Sequence, residues 1–463
     1  MNKITLTIII VLLGRITFCQ TGTTDYPSYE KQNYIMSDDE KTFLDTLQYK
    51  TFLYFINEVN PVNGLVKDRS ASWSPASIAA SGFAIPVWAI GIEKNWITRE
   101  KAVSLTSALL QFLFTSEQSD DTSSTGYKGW YYHYLRMNDG LREWKCELST
   151  VDTGWLLAGI IFARQYFDKE NESEKSIRDL AYKIINRVDW KFFQMSSDSK
   201  FPYAINFAWT TEKGFHPWGW FGYTEAQLLY ILAAGCGMPN SDKAYQTWLK
   251  TYEWKESYPG LGHVIFPPLF GHQFTHMFID MRGVADSYLK EKRIDYFENS
   301  RRAVYSQRNF AIENPNERIG YDSLTWGLTA CDGPGKQYNF DNKEFYSYAA
   351  RGAVCSSKFD FDDGTIAPTA AAASIVFAPE IVIPTLMNMK EKYGYEGLWG
   401  KYGFVDAFNP TANWIDDAYL GLDQGPIVIM IENYNSGFVW KYFMKDEVIR
   451  KGMKMLGFEK LEN

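Results

Sequence analysis

The chain has 463 residues, with 47 Lys and Arg against 55 Asp and Glu. A net charge of −8 and the lack of any dense basic run argue against a nucleic-acid partner held by its phosphates. At 46% hydrophobic and 22% charged residues it can bury a large core and does not read as disordered. Its excess is aromatic, 16 Trp, 30 Tyr and 31 Phe, which serves equally to fill a core or to line a cleft with flat apolar faces.

At the N-terminus Lys3 precedes a short apolar run, and polar sequence follows from Gln20. Residues 1–19 read as a signal peptide, since the run is too short to span a bilayer stably; Arg15 near its end is an irregularity. The protein is expected in the periplasm or outside the cell. A lipid anchor at Cys19 is the less favoured reading, because the bulky Phe18 precedes it. No later segment is long and apolar enough to cross a membrane. Residues 20–36 form a polar tether.

Ser37-Asp-Asp-Glu40 opens a helix with a cap and early acids, followed by Phe43, Leu44, Leu47, Phe52, Leu53, Phe55 and Ile56 at roughly helical spacing. Twelve further helical stretches are predicted at 75–95, 98–115, 150–168, 174–194, 224–236, 241–254, 278–290, 294–311, 342–354, 369–392, 416–433 and 444–456. Strand signals are sparse, the best being Gly129–Leu135 and His263–Phe266. Short connections, such as Lys94–Thr98 and Met238–Asp242, alternate with long ones rich in Gly, aromatics and acids. The long ones are 59–74, 117–149, 196–223, 256–277, 315–341, 355–368 and 394–415. Long loops inside a compact domain are usually functional. The pattern predicts an all-α fold, an (α/α)6 toroid of paired helices over residues 37–463. Its long loops would form a cleft on one face. A less regular all-α fold is the alternative.

Four cysteines remain after cleavage, Cys146, Cys236, Cys331 and Cys355. None falls in a Cys-x-x-Cys spacing, so they read as isolated thiols. There is no phosphate-binding Gly-rich loop, nucleotide fingerprint or Gly-x-Ser-x-Gly elbow, so chemistry by carboxylates without cofactor or metal is what remains.

Hydrolysis of a glycosidic bond needs two carboxyl groups flanking the scissile bond. Glu225 lies in Trp218-Gly-Trp-Phe-Gly-Tyr-Thr-Glu225-Ala-Gln-Leu-Leu-Tyr, where an aromatic cluster meets an apolar helix. A carboxyl beside aromatic surface is poorly solvated, which raises its pKa as a general acid requires. The rival reading is a cap for the helix that follows. Glu147-Leu-Ser-Thr-Val-Asp152 is a second acidic cluster, with Ser149 or Thr150 as cap and both acids as candidates. The third is Asn413-Trp-Ile-Asp416-Asp417-Ala-Tyr-Leu-Gly-Leu-Asp423-Gln-Gly-Pro, where Asp423 sits among apolar residues and must be paired or hydrogen-bonded. His272 and His276 have helical i, i+4 spacing, but no Glu adjoins His272 and Gly271 suggests a loop. His272 and Gln273 read instead as partners for sugar hydroxyls. Phe359-Asp-Phe-Asp-Asp363-Gly364 stops short of a calcium loop, and Asp332-Gly-Pro-Gly reads as a turn beside the cleft.

Several stretches together resemble the glucoamylase-like bacterial proteins of the endo-β-1,2-glucanase group, glycoside hydrolase family 144. They include Gly64-Leu-Val-Lys-Asp-Arg69, Ala76–Phe83, Gly129-Trp-Tyr-Tyr-His-Tyr134 and Glu147–Thr153. Tyr223-Thr-Glu225-Ala, Pro268–Gln273, Asp363–Ala372, Phe377–Ile381 and Leu422-Asp-Gln-Gly-Pro continue the series. The resemblance implies one (α/α)6 domain, export, and inverting hydrolysis of β-1,2-glucan; the expected products are short, sophorose-type oligosaccharides and the expected state is a monomer. Glu225 matches the acid position, protonating the leaving oxygen directly or through a sugar hydroxyl. Asp423, Glu147 or Asp152 would supply the base. Substrate contacts are expected from Arg69, Trp130, Trp220, Tyr223, His272, Gln273, Asp332, Asp363, Trp414 and Asp417. Arg136 and Thr224 depart from the family pattern and bear on substrate preference. The alternatives are a toroid glycosidase acting on another glucan, an exo-acting enzyme on oligosaccharides, and a non-catalytic glycan-binding protein of an uptake system.

Overall fold

The computed structural model describes residues 34–338, 343–353 and 360–461. The expected signal peptide, the Cys19 anchor, most of the tether and Cys355 lie outside these residues. Among the described residues the chain is mostly helical. In order come α1 (Asp38–Phe52), α2 (Tyr54–Asn57), α3 (Ile78–Glu93), α4 (Arg99–Thr115), α5 (Thr150–Tyr166), α6 (Glu172–Arg187), α7 (Gln227–Gly235) and α8 (Ser241–Leu249). After them come α9 (Phe270–Phe278), α10 (Ser287–Lys292), α11 (Tyr296–Glu313), α12 (Pro368–Ala372), α13 (Pro379–Tyr393), α14 (Gly421–Ser436), α15 (Phe438–Phe443) and α16 (Glu447–Met455).

Two sequence patterns build two kinds of helix. In α3, α5, α7, α9, α12 and α14 nearly every residue is buried, so these helices are covered on all sides. By contrast α4, α6, α8 and α13 each bury one stripe, such as Ile177, Leu180, Ala181, Ile184 and Ile185 in α6. Helix α3 packs on α5 and α14, while α4 packs on α6 and α1 on α14. The α3–α5 approach needs glycine on both helices. A Cβ at Gly82 would stand 2.6 Å from the Leu156 Cα, and one at Gly159 would stand 2.1 Å from the Gly82 carbonyl.

The helix starts are set by local caps. Ser37 forms a capping box with Glu40, and Ser77, Thr98, Ser149 and Asn171 cap α3, α4, α5 and α6 through their side chains. Antiparallel pairings two or three residues long tie down the long loops. Leu148–Ser149, which runs straight into α5, pairs with Ala208–Thr210, and Ala330–Cys331 pairs with Ala349–Ala350.

Several expectations are corrected. The helix expected over 342–354 is a short strand at Ala349–Ala350, followed by Arg351, which is buried in an ion pair with Asp363. The expected loop 256–277 contains α9, whose apolar side chains are buried despite the preceding Pro267-Pro268 and the internal Gly271. The stretch 369–392 breaks after Ala372 and restarts at Pro379, a residue suited to the first turn of a helix. Helix α14 starts at Gly421, after Asp416 and Asp417. Cys146, Cys236 and Cys331 are free thiols.

Candidate active site

The starts of α5, α7, α9, α12 and α14 meet at one cavity of about 400 Å³. They bring to it Asp152, Glu225, Gln273, Thr369 and Asp423 in turn. Glu225 immediately precedes α7. Its carboxyl is not spent on capping: the N-cap residue is Ala226, and the Thr224 hydroxyl accepts the Ala226 N–H at 3.1 Å. The Glu225 Oε2 is buried with no hydrogen-bond partner. Burial pushes this carboxyl up to about 8, with the charge of Asp152 adding to the rise. It is therefore a protonated acid at neutral pH, with one oxygen free to face a substrate.

Glu225, Trp220 and Phe207 also line a second cavity of about 580 Å³, so the two spaces adjoin at these three residues. The second space is walled by Trp218, Phe221, Tyr223, Phe266, Pro267 and Pro268, with His216 and Glu253 among its few polar groups. Trp220 is fixed by its indole N–H, which donates to Thr150 Oγ1 at 2.9 Å, and by the Phe207 ring 4.5 Å away.

The first cavity gathers charged side chains among apolar ones such as Trp155, Phe270 and Leu422. His133 stacks on Tyr134 with ring centroids 3.9 Å apart, and stands between Glu147 (Nδ1 to Oε1, 2.9 Å) and Asp152 (Nε2 to Oδ2, 3.6 Å). Burial works against a charge on His133, but Asp152 and Glu147 together push it up to about 9. Burial would raise Glu147 too, yet the hydrogen bond and charge of His133 hold it below its ordinary value. Asp152 is also engaged by its cap: its N–H donates to Ser149 Oγ, whose hydroxyl donates back to Asp152 Oδ2. Arg69 lines the same space and binds Asp332 at 2.7 Å and Asp68 at 3.4 Å.

Asp423, in the first turn of α14, has a buried Oδ2 without a partner. Behind it lies Asp406, which accepts the Asp332 N–H at 2.7 Å. Burial raises both carboxyls; the charges of Asp332 and Asp416 add to the rise of Asp406 while its hydrogen bond to Asp423 opposes it, and the charge and hydrogen bond of Asp406 push Asp423 further up, so the pair shares a proton. One oxygen from each of Asp332, Asp406 and Asp416 falls within 4.8 Å of the others, close enough for a cation. Burial pushes Asp416 up to about 6, with Asp332's charge adding, and Arg69 already supplies positive charge to Asp332.

Of the residues expected from sequence, Glu225, Asp423, Glu147, Asp152, Arg69, Trp220 and Gln273 line the acidic cavity, and Tyr223 lines the apolar one. Gln273 nevertheless spends its amide N–H groups on Ala370 O and Ser374 Oγ, at 2.7 and 2.8 Å. Asp332 joins the acid cluster through Arg69. The others stand apart from both cavities. Trp130 is buried against Trp190 and Phe193, its indole donating to Asp189 O. His272 is buried beside the Phe266 carbonyl at 3.2 Å, and burial pushes it well below its ordinary value. Asp363 is held by Arg351. Trp414 faces a separate depression beside Tyr393 and Pro410, and Asp417 is exposed.

Two residues escaped the sequence reading. Asp406 lies in Phe404-Val-Asp-Ala-Phe408, where a single acid inside an apolar run signals a buried carboxyl. His133 was legible only as part of a strand.

Residues 217–447 match the model of the Glycoamylase family, described as "Putative glucoamylase". Over 95% of its length the chain is 27% identical to an exo β-1,2-glucooligosaccharide sophorohydrolase (non-reducing end) of Parabacteroides distasonis, and it spans 61% of that protein. Its fold matches a crystal structure of a Bacteroides uniformis protein with the same glucoamylase description: TM-score 0.77, 29% identity, 92% of this chain and 99% of the other. It likewise matches the endo-β-1,2-glucanase of Chitinophaga pinensis in complex with sophorotriose and glucose. There the TM-score is 0.76 and the identity 26%, over 92% of this chain and 99% of that one.

Proposed function

We propose that this chain, which belongs to the glucoamylase-like family, is an exported inverting glycoside hydrolase that cleaves β-1,2-glucan to short, sophorose-type oligosaccharides. The observation that carries the reading is Glu225, a buried carboxyl held protonated to about 8, with one unpartnered oxygen where two cavities meet. A sugar chain laid across the junction has its scissile bond beside this acid and room for rings on each side. The β-1,2 linkage rests on the similarity to the Parabacteroides and Chitinophaga enzymes. We assign the described chain to an (α/α)6 toroid acting as one domain and as a monomer. In support, the fully buried helices α3, α5, α7, α9, α12 and α14 alternate in sequence with α1, α4, α6, α8, α11 and α13.

In the mechanism Glu225 donates its proton to the departing glycosidic oxygen. In this reading Asp423, which lines the acid-lined cavity and whose buried Oδ2 has no partner, takes a proton from the attacking water. Asp406 behind it accepts part of the charge through the proton they share. Inversion requires the two carboxyls about 6.5–9.5 Å apart, with the water between them. Glu147 is the second reading for the base, because His133 keeps it ionised.

Purified protein assayed on linear and cyclic β-1,2-glucans, laminarin and starch is expected to release reducing ends from the β-1,2-glucans. Product lengths separate internal cleavage from stepwise release at one end. Full activity in Glu225→Gln would overturn the acid assignment. Binding of glucan with no new reducing ends would leave a carrier instead of an enzyme.

A further inference from the structure

We propose that Trp73 and Trp144 form a stacking platform for a glycan chain at the rim of the acid-lined cavity, outside the space where the bond is cut. The inference rests on the glycosidase reading and extends it to the length of chain the protein holds. The two indoles are 64% and 53% exposed, with ring centroids 6.0 Å apart and planes inclined at 49°. Both connect directly to the cavity. The Trp144 ring lies 5.2 Å from that of Tyr134, and the Arg69 guanidinium lies over Trp73 at 5.8 Å; Tyr134 and Arg69 are cavity residues.

The turns that carry them are pinned. In the first, Asp68 N–H donates to Pro75 O at 2.8 Å, Arg69 N–H to Ser74 Oγ at 3.0 Å and Ser70 N–H to Tyr419 O at 3.0 Å. In the second, Glu143 N–H donates to Tyr134 O at 3.0 Å and the Arg142 guanidinium to Lys145 O at 2.8 Å. Trp144 and Lys145 both adopt left-handed backbone, φ 53° and 54°, which costs side-chain-bearing residues free energy. Folding gains nothing from holding two large indoles in water on strained, hydrogen-bonded turns. A ligand with flat apolar faces does, because both rings are already in place when it arrives. A pyranose ring has such faces, and the cavity beside the platform is the proposed seat of the same polymer.

The experiment compares Trp73→Ala, Trp144→Ala and their double variant with the parent protein on long β-1,2-glucan and on the shortest oligosaccharide it cleaves. The expected result is a KM on the polymer roughly tenfold higher, with the loss confined to chains long enough to reach the rim. Trp73→Phe and Trp144→Phe are expected to recover most of the polymer KM, which a fold defect would not allow. An unchanged polymer KM, or an equal loss on both substrates, overturns the platform. Migration in gels containing each glucan of the panel tests it without turnover. Retardation of the parent protein that weakens in the alanine variants supports the platform even if no glucan is cleaved. Equal retardation of parent and variants, or none for either, overturns it.

Discussion

The two spaces that meet at Glu225 differ in the charged groups they hold. One is walled by Asp68, Glu147, Asp152, Asp423 and His133, the other by Trp218, Phe221, Tyr223, Phe266 and a Pro-Pro pair. The acidic space owes its carboxylates to helix starts and their caps, and sets each proton affinity by burial and by neighbours. The apolar space comes mostly from the loop before α7 and the segment before α9, and offers surface in place of charge. On the proposed reading the contrast separates two tasks, moving protons and holding rings. Glu225 belongs to both spaces because it is the acid whose environment the apolar side makes dry.

The largest expected effect tests the acidic side. Glu225→Gln and Asp423→Asn should each lower kcat by about 10²–10⁴-fold on β-1,2-glucan, with KM changed far less. If Glu147→Gln shows the large loss and Asp423→Asn a small one, the base moves to Glu147. Trp218→Ala removes an exposed ring from the apolar side alone. It should raise KM several-fold, roughly 3–10-fold, and leave kcat near its parent value. A kcat loss as large as that of Glu225→Gln would break the division of tasks.

The pH profile sharpens it further. Glu225 must carry its proton, so kcat/KM should fall as pH rises through about 8, the alkaline limb. His133→Gln removes the cation that holds Glu147 low, so the Glu147 pKa should climb. If Glu147 is the base, the acid limb moves to higher pH, and the alkaline limb stays where it is. The smallest effect is on stability. The folded-state pKa of Glu225 lies above that of an ordinary carboxyl, so the parent protein loses stability as pH rises from about 4.5 to about 8. Glu225→Gln carries no such proton. It should melt higher than the parent at pH 8, on the order of 3 °C, with a narrower gap at pH 5.

The sequence made the frame legible where local chemistry and burial agree. Ser37 with Glu40, Ser149 with Asp152 and the apolar runs of α3, α5 and α14 all state their helices outright. It was less legible where burial overrides propensity. Helix α9 forms behind two prolines because its whole length packs inside, and 342–354 had helical spacing while Arg351 turns inward to Asp363. Glu225 could be picked out because Trp218, Trp220, Phe221 and Tyr223 stand just before it in the chain, and rings that close dry a carboxyl however the loop folds. Asp406 and His133 could not, because their roles depend on Asp423, Glu147 and Asp152, which come beside them only in the fold. Trp130 and His272 misled for the complementary reason: a polar or aromatic residue in a motif can as easily be core.

Five of the six fully buried helices begin at the acidic cavity. Each start turns the positive end of a helix dipole toward it, with local groups such as Ser149 and Thr224 already accepting backbone N–H groups at α5 and α7. That background makes it possible to crowd many carboxyls into one chamber. The start of α5 is held by the close packing of Gly159 on Gly82, whereas Trp73 and Trp144 hang from surface turns, so a substitution in those turns can change the rim without moving that helix start.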